Sequence, residues 1–364
     1  MLIISMEKLI ISFLAFFLSS NLLCKEILLK DVPYSFDTEK VQAAKNSFHF
    51  LRSFVEYYYL LIKVNKDQLP EINSRWGIVG WCAGDAHPEN FGVLIGENNN
   101  RTFTINDWDD SGPCPVYLDL FRLLVSSKLY DSSLNLEEIL SAYTLGLSGG
   151  NLDQPNIIQG MFRESEDRGT TVNPKKINGN LLLRNAETAE VSSDERKKIE
   201  SAVGFSILDI IKTAKQGGGS GGLERFEILV NIDGKLTHLE LKNEIDPGIS
   251  PIQTAKIPTN SERFNNSFFY FGSNNISKLY KMISINGQDF LVRPRFYGNV
   301  GVNLNDTIDF KSSTLISYEA FILGTLHQKS ISSKNLMDIE ISKINDEVNS
   351  FVKKFQSKFN ELKK

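Results

Sequence analysis

The chain is poor in the residues that usually build metal and redox sites. Its 364 residues include only four histidines and three cysteines. No C-x-x-C pair occurs, and no histidine spacing suits zinc, so the sequence does not predict a structural zinc site. The cysteines that lie beyond the N-terminus, Cys82 and Cys114, could pair in an exported protein, but the sequence does not show that they meet.

An excess of charge of one sign is also lacking. The 40 basic and 44 acidic residues are well mixed along the chain and leave a net charge of −4. Nucleic-acid-binding domains usually carry a basic patch or stripe, so we expect no DNA or RNA partner. The length and the 41% hydrophobic content are enough for a globular protein with two lobes.

Long apolar runs are absent except at the N-terminus, where Leu9 to Leu23 is uncharged and follows Lys8. This run is short for a membrane span and typical of a signal peptide, which we predict at residues 1–24. An uncleaved anchor or a buried helix is the alternative interpretation. The prediction implies an exported, periplasmic or envelope-associated protein without a span in the mature chain. A lipid anchor at Cys24 has little support, because Asn21-Leu22-Leu23 lacks the small residues expected there.

The apolar pattern of the remaining chain predicts mixed helices and strands. Helices are predicted at Thr38 to Val64, Ser133 to Leu147, Ser192 to Ile211, Leu315 to Gln328 and from Leu336 onward. Short strands are predicted at Gly77 to Cys82, Val93 to Ile95, Thr102 to Ile105 and Phe290 to Arg293. Two alternating runs, Phe226 to Val230 and Leu236 to Lys242, flank Asp233-Gly234, and this arrangement predicts a hairpin.

Polar residues with catalytic potential are concentrated in two neighbouring segments, GDAHPENFG from Gly84 and INDWDD from Ile105. Phosphoryl transfer needs a carboxylate near the acceptor hydroxyl, together with an amide and a second carboxylate for magnesium. Asp85, Asn90 and Asp107 have these types in this order. We therefore predict Asp85 as the acceptor-side carboxylate, and Asn90 and Asp107 as metal ligands. Any one of them alone could simply shape a turn.

Glycine is absent before Gly77, so a glycine-rich phosphate loop can only follow the carboxylate segments. A run of small residues is the candidate, comprising Gly217, Gly218, Gly219, Ser220, Gly221 and Gly222. Glycines allow close approach to phosphates, and Lys242 on the following hairpin could reach the phosphate oxygens. A flexible linker would have the same composition. No Gly-Lys-Ser/Thr follows, which argues against a Walker-type site.

The catalytic segments resemble known families. Gly84-Asp85-x-His87-Pro88-x-Asn90 and Ile105-x-Asp107-Trp108, with Asp119-Leu120 beyond, look like the loops of aminoglycoside phosphotransferases. Together with Phe50-Leu51-Arg52 and LDLFRLLVSS, they resemble more closely the bacterial domain-of-unknown-function family 2252, which is regarded as kinase-like and has no settled substrate. The resemblance implies an ATP- and magnesium-dependent phosphotransferase in which His87 orients the catalytic loop.

The order of the motifs implies a circular permutation of the kinase fold. The segment Phe321 to His327, which contains LGTLH, is similar to the helix that precedes the catalytic loop in small-molecule kinases. The expected fold is therefore α+β and two-lobed, with catalytic motifs first. Residues 25–205 would form the catalytic and metal loops with a helical insertion, 206–305 the small lobe, and 306–364 the helices that complete the large lobe.

Some positions depart from the family pattern. The expected Lys-Glu pair is Lys242-Asn243-Glu244 here, so the carboxylate partner of the lysine stays open between Glu244 and Glu262. Ser53 stands where relatives usually have glycine. Arg293 and Arg295 fit the family's connecting strand, although arginines at such positions are more often ion-pair residues than ligands.

Three other functions compete with the kinase interpretation. Asp85-x-His87 is typical of metallophosphoesterases, but these need more histidines than the chain has. A non-catalytic exported binding protein would explain a kinase scaffold where ATP is scarce. Nucleotidyl transfer could use the same metal site.

Overall fold

A computed structural model describes residues 27–213, 221–253, 257–272, 276–306, 312–331 and 341–364. Helices and strands are interspersed along the chain, so the predicted α+β class is confirmed. The predicted signal peptide, Cys24 and residues 217–220 of the glycine-rich run lie outside the described residues. Within those ranges, no helix is both long and apolar enough to cross a membrane.

The first predicted helix is three helices, so the prediction of one element is wrong. These are α1 (Thr38–Ala43), α2 (Ser47–Ser53) and α3 (Val55–Asn65), and α4 (Pro70–Ser74) follows them. The chain breaks at Asn46, whose side chain accepts a hydrogen bond from the backbone of His49 and caps α2, and at Phe54, whose backbone is not helical. Most of α3 is buried, which removes the one-sided pattern expected of a surface helix.

Four short strands surround the catalytic segments. They are β1 (Val79–Cys82), β2 (Phe91–Ile95), β3 (Arg101–Ile105) and β4 (Gly112–Pro115). β1 pairs with β4, and β2 pairs with β3, in both cases antiparallel. The predicted short strands around polar loops are therefore confirmed, with Asp85 in the loop after β1 and Asp107 in the loop after β3.

Three helices come next: α5 (Tyr117–Tyr130), α6 (Leu136–Leu147) and α7 (Asn156–Arg168). α5 is buried from Tyr117 to Ser127 and forms the centre of the larger hydrophobic core. α6 begins later than predicted because the Asn135 side chain caps it.

The next segment was predicted to be one helix from Ser192 to Ile211, and this is wrong. After the short strands β5 (Ile177–Asn178), β6 (Leu181–Leu182) and β7 (Thr188–Glu190), helix α8 (Ser193–Val203) is followed by strand β8 (Ile207–Thr213). The Ser192 side chain caps α8 as expected, but Gly204 takes a left-handed conformation with φ of 73° and ends the helix.

The predicted hairpin is confirmed as β9 (Arg225–Ile232) and β10 (Lys235–Asn243), which pair antiparallel. Asp233 and Gly234 both have positive φ, as a two-residue hairpin turn requires. Helix α9 (Asn260–Ser267), strand β11 (Lys281–Ile285), strand β12 (Gln288–Pro294) and strand β13 (Val300–Gly301) follow. The six-stranded sheet has the order β11-β12-β10-β9-β8-β7.

Two further helices, α10 (Ser312–Gln328) and α11 (Ile341–Leu362), pack against α6 and α5 respectively. α10 packs closely on α6, because a Cβ atom at Gly324 would lie 2.2 Å from the carbonyl oxygen of Tyr143, and one at Gly146 would lie 2.1 Å from that of Phe321. The six-stranded sheet and α8 have a second hydrophobic core of their own. The small lobe was predicted to begin at residue 206. The unit that contains the six-stranded sheet begins earlier, because it includes β7 and α8.

Candidate functional site

Asp85, Asn90 and Asp107 line one cavity of about 210 Å³. Its other walls include Asp109 and Asp110 in the loop before β4, Leu223 before β9, and Asn243 and Glu244 at the end of β10. The cavity therefore lies between the catalytic segments and the six-stranded sheet. The three residues that the sequence singles out are brought together.

The loop that carries Asp85 is held by a buried carboxylate on α5. Asp119 accepts hydrogen bonds from the backbone nitrogens of Ala83 and Gly84, at 2.5 and 2.9 Å. Its Oδ2 also lies 3.1 Å from Nε2 of His327 on α10. The LGTLH helix is thus linked to the catalytic segment through Asp119, as its expected position beside that segment requires.

Gly84 is required by the close approach of two loops. Its φ is 81°, and a Cβ atom at this position would lie 1.9 Å from the carbonyl oxygen of Asp110. Only glycine satisfies both conditions. The loop after β1 and the loop after β3 are therefore locked against each other, which fixes Asp85 relative to Asp107.

Asp85 forms a buried ion pair with Arg122 of α5. The Nε atom of Arg122 donates to Oδ1 of Asp85 at 2.9 Å, and Nη2 donates to the same oxygen and to the carbonyl of Leu51. Burial alone would raise the pKa of Asp85, but the Arg122 guanidinium, with His87, holds that pKa well below its usual range. Asp85 is therefore ionised at neutral pH, and Oδ2 is the oxygen left for other partners.

His87 lies beside this pair, with Nε2 3.5 Å from Oδ2 of Asp85. Burial lowers the pKa of His87, which favours the neutral imidazole. A neutral buried ring packed edge-on against Phe48 is placed to orient the loop, in keeping with the predicted role.

The Asn90 amide joins the two catalytic segments. Its Nδ2 donates to the backbone carbonyls of Asp85 and Asp107, at 3.0 and 3.2 Å. Because the two amide hydrogens are used in this way, Oδ1 is the atom that could ligate a cation.

Lys242 on β10 reaches the loop after β3 that carries Asp107 and Asp109. Its Nζ lies 3.5 Å from Oδ1 of Asp107 and is also paired with Asp109. The side chain is only 1% exposed. Burial lowers the pKa of Lys242, and the Asp107 carboxylate opposes that shift. The expectation that Lys242 points towards Asp107 is confirmed.

The carboxylates proposed from sequence as partners of Lys242 differ in position. Glu262 caps α9 through Thr259, so it serves that helix terminus. Glu244 is buried and forms an ion pair with Arg263, with Nη2 3.5 Å from Oε2. Burial raises the pKa of Glu244, while Lys242 and Arg263 oppose the shift. The ion-pair contacts of Lys242 go instead to Asp107 and Asp109.

Glu240, two residues before Lys242, collects arginines from three strand positions. Oε1 accepts from Arg225 at 2.7 Å and from Arg293 at 3.0 and 2.8 Å, and Arg295 lies 3.7 Å from Oε2. Against the effect of burial, these cations lower the pKa of Glu240 to about 2. Arg293 also lies 3.6 Å from Asp107. Arg293 and Arg295 are therefore ion-pair residues beside the site, as sequence reasoning favoured.

A second cavity, of about 360 Å³, adjoins the first and shares Asn106 and Asp107 with it. Its walls include Arg293, Arg295 and Lys176. Among the described residues, seven carboxylates and one arginine line the first cavity, which we call the acidic cavity. Four arginine or lysine side chains and two carboxylates line the second, which we call the basic cavity.

The glycine-rich run connects β8 to β9. Of its predicted members, Gly221 and Gly222 are described, and Gly222 has a φ of 81° in a turn. The next residue, Leu223, lines the acidic cavity. The C-terminal end of the run is thus adjacent to the site.

A disulfide joins the strands that flank the catalytic segments. Cys82 at the end of β1 is bonded to Cys114 in β4. These are the residues whose pairing the sequence left open. The bond fixes the strand that leads to Asp85 against the strand that follows Asp110.

The donor atoms present fit a divalent cation held together with phosphate oxygens. Within the described ranges no three His, Cys, Asp or Glu side chains form a ready metal cage. Magnesium is commonly bound by one or two protein ligands plus substrate phosphates. In the described part of the chain, Oδ1 of Asp109 and Oε1 of Glu244 are buried and accept no hydrogen bond, which suits a cation at this position.

A family model matches the part of the chain that carries Asp85 and Asp107. Residues 38–140 match the bacterial family DUF2252. Its description is "uncharacterized protein conserved in bacteria". The match includes Asp85, Asn90, Asp107 and Arg122, and it confirms the predicted family resemblance. No curated protein and no solved structure matches the chain.

Sequence reasoning missed two residues within the DUF2252 match and one outside it. Asp109 pairs with Lys242, Arg122 pairs with Asp85, and Glu240 gathers the arginines. Arg122 carries a readable signal, because it is a single cation inside the apolar run LDLFRLLVSS. The ion pairs of Asp109 and Glu240 depend on packing between distant segments and leave no local pattern.

Proposed function

We propose that this protein is an ATP- and magnesium-dependent phosphotransferase of kinase-like type, acting on an acceptor whose identity the sequence does not specify. The observation that carries the proposal is the position of Lys242. This lysine comes from the antiparallel sheet and lies 3.5 Å from Asp107, which lines the same cavity as Asp85. A phosphate-binding lysine, a metal-binding carboxylate and an acceptor-side carboxylate are the parts of a kinase site.

The order of the elements supports a circular permutation. In protein kinases, a glycine-rich loop covers the phosphates and the lysine is on the third strand of the small lobe. Here the glycine-rich run lies between β8 and β9, and Lys242 is on β10, the next strand. The LGTLH helix contacts the catalytic segment through His327 and Asp119 although it comes near the end of the chain. Joining the chain end to its beginning would restore the kinase order.

On the acceptor side, Asp85 would accept a hydrogen bond from the acceptor hydroxyl through Oδ2. Arg122 occupies Oδ1 and keeps the carboxylate ionised, so its basicity is low. Orientation of the hydroxyl is then the main contribution of Asp85, with its proton leaving late in the reaction. His87 would hold the loop in place.

On the donor side, Asp107 and Oδ1 of Asn90 would ligate magnesium, which would neutralise the phosphate charge. Lys242 would bind oxygens of the reacting phosphate, next to Asp107. Buried Lys242 is preorganised for this task by its pairing with Asp107 and Asp109.

Calorimetry of ATP binding with and without magnesium tests the donor side. We expect magnesium to strengthen ATP binding to the wild-type protein and to have little effect on the Asp107→Ala variant. Asp194→Ala, which removes an acidic residue from the exposed first turn of α8, is the control and should behave as wild type. Equal magnesium dependence in Asp107→Ala and wild type would refute Asp107 as a metal ligand.

A further inference from the structure

The basic cavity is unusual in a protein with a net charge of −4. Its four cationic side chains come from three separate parts of the chain. Arg168 ends α7, Lys176 belongs to the turn before β5, and Arg293 and Arg295 lie at the end of β12. Among the residues that the structure describes, two carboxylates, Asp107 and Glu227, line the same space.

Neighbouring acids do not neutralise these cations fully. Glu240 lies behind Arg293 and Arg295, but it is already bonded to Arg225 as well. Arg295 stays 49% exposed. Arg168 pairs with Glu164 on its own helix and stacks on Tyr297, with its guanidinium carbon 4.9 Å from the ring centroid. The cavity therefore has an excess of positive charge next to Asp107.

The side chains that line the two cavities have opposite net charge, and this favours one orientation of a charged ligand that spans both cavities. Asn106 and Asp107 are the boundary. A polyanion is repelled by the seven carboxylates of the acidic cavity and attracted by the basic one. A phosphate chain that reacts at Asp107 would extend past Arg293 towards Arg295 and Lys176.

We propose that the basic cavity is a polyphosphate subsite that binds the non-reacting phosphates of the donor through Arg295, Lys176 and Arg168. This inference rests on the proposed phosphotransferase function and adds to it how the donor is recognised. Guanidinium and ammonium groups bind phosphate oxygens through charge-assisted hydrogen bonds, and arginine does so in a bidentate manner. Recognition of the donor then depends more on its phosphates than on its base.

Titration of inorganic tripolyphosphate into the metal-free, full-length protein tests the subsite without requiring turnover. We expect saturable binding that the Lys176→Ala/Arg295→Ala double variant weakens at least tenfold, since it removes two charge-assisted contacts to phosphate oxygens. Lys175→Ala is the matched control, because Lys175 is the exposed neighbour of Lys176 and does not line the cavity. It should bind within about twofold of wild type, given the small effect of an uninvolved surface charge.

Three results would overturn the subsite: no saturable binding, an equal loss in the double variant and in Lys175→Ala, or ATP that fails to displace tripolyphosphate. Failure of the kinase proposal looks different. A protein that binds tripolyphosphate through Lys176 and Arg295 but forms no ADP from ATP would keep the subsite and lose the proposed function. A protein that forms ADP, and whose double variant binds tripolyphosphate with unchanged affinity, would keep the proposed function and lose the subsite.

Discussion

Nζ of Lys242 lies 3.5 Å from Oδ1 of Asp107, although Asp107 follows β3, which packs in the larger hydrophobic core, and Lys242 lies on β10, which packs in the second one. Burying an ammonium group is costly unless it is paired, so a lysine that is 1% exposed needs a reason to be there. Two carboxylates from the catalytic segment, Asp107 and Asp109, provide that pairing. Through this contact, the Lys242 ammonium group and the carboxylates of Asp107 and Asp109 are already positioned together.

Replacement of this lysine should therefore reduce donor binding more than it reduces stability. Lys242→Met keeps the length and removes the charge, and we expect at least a tenfold loss of affinity for ATP with magnesium, about the value of one charge-assisted contact. Lys235→Met, at the exposed start of the same strand, is the control and should bind normally. Calorimetry and thermal unfolding of both variants check the result. Unchanged ATP affinity in folded Lys242→Met would contradict the assigned role.

The ion pair between Arg122 and Asp85 should show strong coupling. Arg122 is fully buried, so Arg122→Met leaves the Asp85 carboxylate without its main partner and should destabilise the protein by about 3 kcal/mol. Asp85→Asn in the same background should recover part of this loss, because the uncompensated charge is gone. Urea unfolding of the two single variants and the double variant measures the coupling. Additive effects within about 0.5 kcal/mol would mean that the pair does not act as a unit.

How far the sequence predicted this site depends on the range of the interactions. Asp85, Asn90 and Asp107 are predictable because they occupy short loops between apolar strands, and the hairpin is predictable because Asp233-Gly234 is a local turn signal. The broken helix at Asn46 and the helix end at Gly204 were missed, since side-chain capping and a single left-handed residue overrode a continuous apolar pattern. The pairing of Lys242 with Asp109 was not predictable, because it depends on how two distant segments pack.

The disulfide between Cys82 and Cys114 should contribute measurably to stability. It closes a segment with a sequence separation of 32 that contains the whole catalytic segment. Chain-entropy reasoning gives about 3 to 4 kcal/mol for a loop of this size. We expect the Cys82→Ala/Cys114→Ala variant to unfold at lower urea concentration by a corresponding amount. A reducing agent should lower the wild-type midpoint and leave that of the variant unchanged. An equal response of both proteins to the reductant would contradict the assignment.

The most direct test of the account is the reaction of ATP with magnesium in wild type and Asp85→Asn, followed by phosphorus NMR. Wild type should transfer the terminal phosphoryl group to water and form ADP with inorganic phosphate, and Asp85→Asn should do so at least about a hundredfold more slowly, the usual effect of removing an acid–base group. Its affinity for ATP should stay within about twofold, because Asp85 faces the acceptor. Unchanged ADP formation in Asp85→Asn, or accumulation of AMP in place of ADP in the wild-type reaction, would contradict a kinase-like phosphotransferase centred on Asp85.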